Sequence, residues 1–149
     1  MNGLDKKVVI EAVLVGIYTW ILYLFLSRII SLQTHPEYFL FILGFTKHFL
    51  GDFVQLHTLF CNYGYACEYY FNKNNIFYRI SQRKEFVIII ESILEGLLFL
   101  FIYFLLATTF KNNINWFSVF CIGFFLHLFF EYIGIHRLFC KYHCSSVLM

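Results

Sequence analysis

Apolar residues are concentrated in four long blocks of the chain, and short polar stretches separate the blocks. They cover residues 8–30, 38–61, 86–110 and 116–139. Each block exceeds the roughly 20 residues that an α-helix needs to cross a hydrocarbon core of ~30 Å. Because backbone polar groups inside lipid must be paired within a helix or a closed barrel, each block predicts a transmembrane helix. The pattern therefore predicts an all-α, polytopic membrane protein with four transmembrane helices.

The second half of the chain repeats the first. A shift of 79 residues aligns positions 41–63 with 120–142, and nine of these 23 positions are identical. A shift of 80 pairs Glu11 with Glu91. Matches of His, Cys, Gly and acidic residues carry most weight, because these types are scarce in apolar segments. We therefore predict one transmembrane domain over residues 1–149, built as two tandem-repeat hairpins in a pseudo-twofold bundle. Unit one covers 5–63, a connecting cytoplasmic loop covers 64–84, and unit two covers 85–143.

Basic residues are concentrated on one predicted side of the membrane. Eight of the 11 Lys and Arg residues lie there: Lys6, Lys7, Lys73, Arg79, Arg83, Lys84, Arg137 and Lys141. The positive-inside rule then predicts a multi-pass protein with both termini in the cytoplasm. Lys47 lies inside the second span, so it is expected to contact a cavity, an acid or a partner chain.

Four of the five cysteines lie on the same predicted side, where thiols stay reduced: Cys61, Cys67, Cys140 and Cys144. An inverted orientation would make disulfide candidates of Cys61 with Cys67, or of Cys140 with Cys144.

Composition narrows the class of protein further. Hydrophobic residues make up 60% of the 149 positions and charged residues 13%, more apolar surface than a soluble domain of this length can bury. The sequence has no basic stripe with interleaved aromatic residues, so it does not indicate nucleic-acid binding. The nucleophile elbow, the phosphate loop, the potassium-channel filter and the Cys-x-x-Cys motif are absent from the sequence. The expected partner is the lipid bilayer. Further copies of this chain, in a homo-oligomer, or other membrane proteins are also possible partners.

A His-x3-acid pair occurs once in each repeat unit, as His48 with Asp52 and as His127 with Glu131. Residues four apart share a helix face, so both pairs can face the bundle axis. Two imidazoles and two carboxylates there would suit a divalent transition metal such as zinc or iron. Three further acids in the same half of the bilayer are predicted supporting carboxylates: Glu11, Glu91 and Glu95.

A second set of candidate zinc ligands combines histidine with cysteine: His57, Cys61, His136 and Cys140. In a straight helix His57 lies about two and a half turns beyond His48, so the two side chains point in opposite directions unless the helix unwinds before His57. Two alternatives require no metal site of this kind. His48 and His127 could ligate a haem, or the polar groups could only hydrogen-bond one another, Glu11 with His57 and Glu91 with His136.

Two classes of function follow from these features. The scarcity of extramembrane chain, with no loop above about 25 residues, favours a structural or interaction role as a membrane scaffold. The alternative is a metal-dependent membrane enzyme or a metal or proton carrier that uses the paired His-x3-Asp/Glu groups. The sequence leaves open whether the protein is an enzyme.

Overall fold

The structure, a computed structural model, describes residues 3–30, 36–71, 77–80, 85–110 and 115–147. This part of the chain is almost entirely helical, as the apolar blocks predict. The elements in order are α1 (Gly3–Leu26), α2 (Pro36–Phe53), α3 (Leu56–Tyr63), α4 (Tyr65–Phe71), β1 (Phe77–Ile80), α5 (Glu85–Phe110), α6 (Trp116–Tyr132), α7 (Ile135–His143) and β2 (Cys144–Val147).

Two of the helices are long and apolar enough to cross a membrane by themselves. They are Lys6–Leu26 within α1 and Glu85–Leu105 within α5. The other two predicted spans are bent, by 73° between α2 and α3 and by 76° between α6 and α7. The chain therefore has two candidate spans, or up to four if each bent pair crosses as one unit. This supports a helical membrane protein.

A residue with left-handed backbone conformation stands at each bend. Gln55 has φ 59° and Gly134 has φ 82°, and the sequence alignment pairs these two positions. Helix α2 ends with a tightened turn, in which the Gln55 amide donates to the Asp52 carbonyl at 3.0 Å. A left-handed residue cannot continue a right-handed helix, so the chain changes direction. Helices α3 and α7 are thus turned steeply away from the helices that precede them.

Each of the two long helices packs mainly against a helix of the other half of the chain. The most extensive contacts are between α2 and α5 and between α1 and α6. Glycine makes the approach close: a Cβ on Gly44 would lie 2.8 Å from the Glu95 carbonyl oxygen, and one on Gly96 would lie 2.8 Å from that of Phe41. Small residues at such crossings are typical of helix packing in membranes. The core between these helices includes the fully buried Phe39 and Phe99.

The predicted connecting loop 64–84 contains regular structure. It includes α4 and β1, and β1 pairs antiparallel with β2 from Phe77↔Val147 to Ile80↔Cys144. Helix α4 also packs on α7. Helix α4 and strand β1 therefore join the middle of the chain to α7 and β2.

The four cysteines that the predicted topology expects as reduced thiols are disulfide-bonded in the structure. The two disulfides are Cys61–Cys144 and Cys67–Cys140. These pairings also differ from the ones an inverted orientation predicts from sequence proximity. The reason is tertiary: the contact of α4 with α7 and the pairing of β1 with β2 bring cysteines from distant parts of the chain together. Cys121 is the free cysteine of the described residues.

Replacing Gln55 with Gly should raise the free energy of unfolding by about 1 kcal/mol, because glycine adopts the left-handed conformation without a steric penalty. Gly134→Ala should lower it by a similar amount. A Cβ on Gly134 would have open space around it, so only the backbone term changes there. Reversible unfolding in detergent micelles measures both; equal signs for the two variants would contradict this origin of the bends.

Gly44→Ala should separate α2 from α5 and destabilise the protein by more than 1 kcal/mol, because the new methyl group would press on the Glu95 backbone. Gly51→Ala is the matched control in the same helix, since its Cβ would meet only the His57 ring at an ordinary 3.8 Å. Thermal unfolding of both variants compares them. Similar losses for the two would show that helix propensity, rather than the crossing, sets the effect.

Candidate metal centre

The bends bring together histidines that a straight helix would separate. The ring centroids of His48 and His57 lie 4.8 Å apart, and those of His127 and His136 lie 4.5 Å apart. Because α3 and α7 are turned away from α2 and α6, the second histidine of each pair returns toward the first. Spacing along a straight helix predicts opposite directions, and the left-handed residues at the bends are the reason that the two histidines of each pair meet instead.

The first group of polar side chains is called here the His48 cluster; it comprises His48, Asp52, His57, Glu91 and Glu95. His48 Nδ1 lies 2.9 Å from Glu95 Oε2, and His48 Nε2 lies 3.2 Å from Glu91 Oε2. His57 Nδ1 lies 3.1 Å from Asp52 Oδ1. Both ring nitrogens of His48 are thus engaged by carboxylates, which leaves neither of them for the haem iron that the sequence admitted as an alternative.

A lysine neutralises one carboxylate of the His48 cluster. Lys47 Nζ donates a hydrogen bond to Glu95 and forms an ion pair with it, and only 14% and 12% of the two side chains are exposed. Contact with an acid is one of the three environments that the sequence predicts for Lys47. It supplies a cation next to the acids and histidines of this cluster.

The second group is called the His127 cluster; it comprises Glu11, His127, Glu131 and His136. One ligand atom each of His127, Glu131 and His136 lies within 4.8 Å of the others. His136 Nδ1 is 2.7 Å from Glu131 Oε2. Glu11 Oε2 comes to 3.7 Å from His127 Nε2, too far for a hydrogen bond. Its other oxygen accepts from the Tyr65 amide at 2.8 Å.

Three buried atoms of the His127 cluster have no hydrogen-bond partner among the described residues: Glu11 Oε2, His127 Nε2 and Glu131 Oε1. His127 and Glu131 are 7% and 6% exposed. An unsatisfied buried polar group costs about 1–3 kcal/mol, so three in one place require an explanation. All three are atoms of a type that ligates transition metals, and an ion bound by His127 and Glu131 would satisfy two of them together.

The structure divides the predicted axial set of His48, Asp52, His127 and Glu131 between the two clusters. Each His-x3-acid pair is met by a glutamate of the other half of the chain, because α2 packs on α5 and α1 on α6. All three predicted supporting carboxylates lie beside histidines, with Glu91 and Glu95 at His48 and Glu11 at His127. The alternative without a metal predicted that Glu11 pairs with His57 and Glu91 with His136. In the structure Glu11 lies beside His127, and Glu91 lies beside His48.

The structure separates the two histidines of the second predicted zinc set from its two cysteines. His57 joins the His48 cluster and His136 joins the His127 cluster, whereas Cys61 and Cys140 are bonded to Cys144 and Cys67. Sequence reasoning missed Cys67 and Cys144 as members of a site. Their only signal was the location of four cysteines on one predicted side of the membrane.

The ion pair of Lys47 with Glu95 is one difference between the two clusters, and the contact of His143 Nε2 with Glu91 Oε1 at 3.4 Å is another. The alignment places Leu126 at the position of Lys47 and Val15 at that of Glu95. The His127 cluster therefore lacks the counterpart of this lysine and this glutamate. Its histidines and acids have no ammonium group at the equivalent position.

Comparison with known proteins finds no match: no protein-family model fits the chain, and neither the curated proteins nor the solved structures include one detectably similar to it. Any function proposed for the site therefore rests on its own geometry and not on similarity to a known protein.

Lys47→Leu should lower the free energy of unfolding by about 3 kcal/mol, because it leaves the Glu95 carboxylate buried without its cation. The double variant Lys47→Leu/Glu95→Val, which reproduces the residues of the other half, should recover most of that loss. Unfolding in micelles measures the cycle. Additive losses in the double variant would mean that the ion pair does not explain the difference between the clusters.

Proposed function

We propose that this protein is a membrane metalloprotein that holds a divalent transition metal ion, zinc or iron, at the His127 cluster. The observation that carries the proposal is the convergence of one ligand atom each of His127, Glu131 and His136 within 4.8 Å, together with two buried atoms, His127 Nε2 and Glu131 Oε1, that have no hydrogen-bond partner among the described residues. Hydrogen bonding among the polar groups alone would leave these atoms unsatisfied, which is why a purely structural role accounts for them less well.

The types of ligand favour a transition metal. Imidazole suits Zn²⁺ and Fe²⁺, whereas Mg²⁺ and Ca²⁺ prefer oxygen ligands throughout. His127, Glu131 and His136 supply two imidazoles and one carboxylate. The Glu131 Oε2 contact with His136 Nδ1 would hold the ring in place while Glu131 Oε1 faces the ion.

The number of ligands favours a catalytic ion over a closed structural one. Catalytic zinc sites commonly have three protein ligands, two histidines and a glutamate among the known sets, and a fourth position for water. Glu11 Oε2, 3.7 Å from His127 Nε2, stands next to that set as a candidate general base. The reaction class that such a site serves is hydrolysis, in which the metal would lower the pKa of its bound water. We therefore favour a metal-dependent membrane enzyme over a scaffold.

The same proposal includes the finer architecture. Each bent pair, α2 with α3 and α6 with α7, would serve as one span with its short helix near the membrane interface. Four spans then form two tandem hairpins related by a pseudo-twofold axis. The matched bends, the paired glycine contacts and the nine sequence identities support this duplication. The positive-inside rule would place both termini in the cytoplasm.

In this arrangement the His48 cluster is the structural counterpart of the metal centre. Lys47 neutralises Glu95, and no buried side-chain atom of this cluster lacks a hydrogen-bond partner among the described residues. The duplicated motif would thus serve two purposes, one half binding metal and the other half joining α2 to α5.

Elemental analysis of protein purified in detergent tests the proposal. The wild-type protein should contain a stoichiometric transition metal at this site, and His127→Asn should lower the total metal content by one equivalent. His48→Asn, the equivalent change in the other half of the chain, should retain it. Glu11→Gln should also retain the ion, because Glu11 is assigned to the base and not to the ligands.

Circular dichroism and gel-filtration profiles like those of the wild type serve as the folding control for each variant. Absence of metal from wild-type protein that folds normally would reject the metal centre and favour the scaffold role. Equal loss from the His48 and His127 variants would reject its assignment to one half of the chain.

A further inference from the structure

Four of the five cysteines meet in a single buried layer at one end of the molecule. Each comes from a different element: Cys61 from α3, Cys67 from α4, Cys140 from α7 and Cys144 from β2. They form one apolar cluster with Ala66, and all four are buried. The rings of Phe60 and Phe139 pack against this cluster. The layer is separate in composition from the His127 cluster, whose ligands are imidazoles and carboxylates.

The sulfur atoms are close across the two disulfides as well as within them. Cys67 Sγ lies 3.7 Å from Cys144 Sγ, and one sulfur each of Cys67, Cys140 and Cys144 lies within 4.8 Å of the others. A tetrahedral zinc site with Zn–S bonds of about 2.3 Å has sulfurs about 3.8 Å apart. The contact between Cys67 and Cys144 already has the length of such an edge.

The backbone around the sulfurs holds them from both halves of the chain. The pairing Ile80↔Cys144 binds β2 to β1, and α4 packs on α7. Lys7 at the start of α1 forms an ion pair with Glu68 of α4, next to Cys67. The sulfurs therefore converge through contacts that do not depend on the disulfides alone.

The positive-inside rule predicts the cytoplasmic side for this layer. Arg137 and Lys141 lie on α7 together with Cys140, and Lys6 and Lys7 open the helix that contacts α4. Eight of the 11 basic residues belong to this side of the predicted topology. In the cytoplasm, glutathione and thioredoxin keep thiols reduced, so disulfides are rare there. On that side the four buried sulfurs would be thiols rather than disulfides.

We infer that the four reduced cysteines bind one Zn²⁺ ion as a closed tetrathiolate site that joins α3 and α4 to α7 and β2. Each disulfide takes two electrons from two molecules of a cytoplasmic thiol such as glutathione, which leave as one oxidised disulfide, and yields two protein thiols. Zn²⁺ then binds the four sulfurs as thiolates and displaces their four protons. Four protein ligands leave no position for water, so the site is structural rather than catalytic.

Cysteine alkylation of the wild-type protein in intact cells distinguishes the two forms without any substitution. The four cysteines should resist a membrane-permeant maleimide until a membrane-permeant zinc chelator is added, and they should then react without a reductant. Cysteines that react only after a reductant would be disulfide-bonded and would overturn the inference. Immediate reaction of all four would show free thiols and would overturn it equally.

Cobalt substitution tests the ligands in protein purified without oxygen and under reducing conditions. Co²⁺ in the tetrathiolate site should give an intense sulfur-to-metal charge-transfer band, which imidazole and carboxylate ligands cannot produce. Cys67→Ser and Cys144→Ser should lose most of this band, while Cys121→Ser, the matched change at the free cysteine, should keep it.

The same spectrum separates this site from the proposed metal centre. His127→Asn should leave the sulfur band unchanged even if it removes metal from the His127 cluster. A reduced, folded wild-type protein that takes up cobalt with no sulfur band would reject the tetrathiolate site alone. A sulfur band in protein whose metal content is insensitive to His127→Asn would support this site and reject the other.

Discussion

The close crossing of α2 with α5, and of α1 with α6, is the constraint on which the rest of the structure depends. Glycines at these crossings let one backbone touch the next, as Gly44 does at Glu95 and Gly96 at Phe41. Side chains on the facing surfaces are thereby brought into contact across the two halves. Acids and histidines inside apolar segments are costly unless they meet one another, and these crossings are where they meet.

The bends in the two broken helices bring additional histidines to the acids near the helix crossings. A straight continuation of α2 or α6 would send the second histidine of each motif away from the first. Gln55 and Gly134 instead turn α3 and α7, so His57 and His136 return to the acids that precede the bends. Two similar clusters result, and the ion pair of Lys47 with Glu95 is one of the differences between them. Lys47 and Glu95 balance charge in one cluster, whereas the other keeps buried ligand atoms without partners.

The two proposed sites use two different kinds of ligand. Imidazole and carboxylate lie within the helical core, where a three-ligand ion would retain an exchangeable position. Sulfur lies at the end of the molecule, where α4, α7 and the β1–β2 pair surround it. A closed sulfur site there would fasten α7, the helix that carries His136. The geometry of the His127 cluster would then depend on the integrity of the cysteine layer.

The sequence by itself determined the helical class, the apolar segments and the pairs His48/Asp52 and His127/Glu131, because helix length and four-residue spacing follow from local geometry. Only the tertiary structure decided which groups meet. A helical period predicts directions along a straight axis, so it cannot foresee the turns at Gln55 and Gly134. It also carries no information on which helices cross, and therefore none on the contact of Glu11 with His127 or of Cys67 with Cys144.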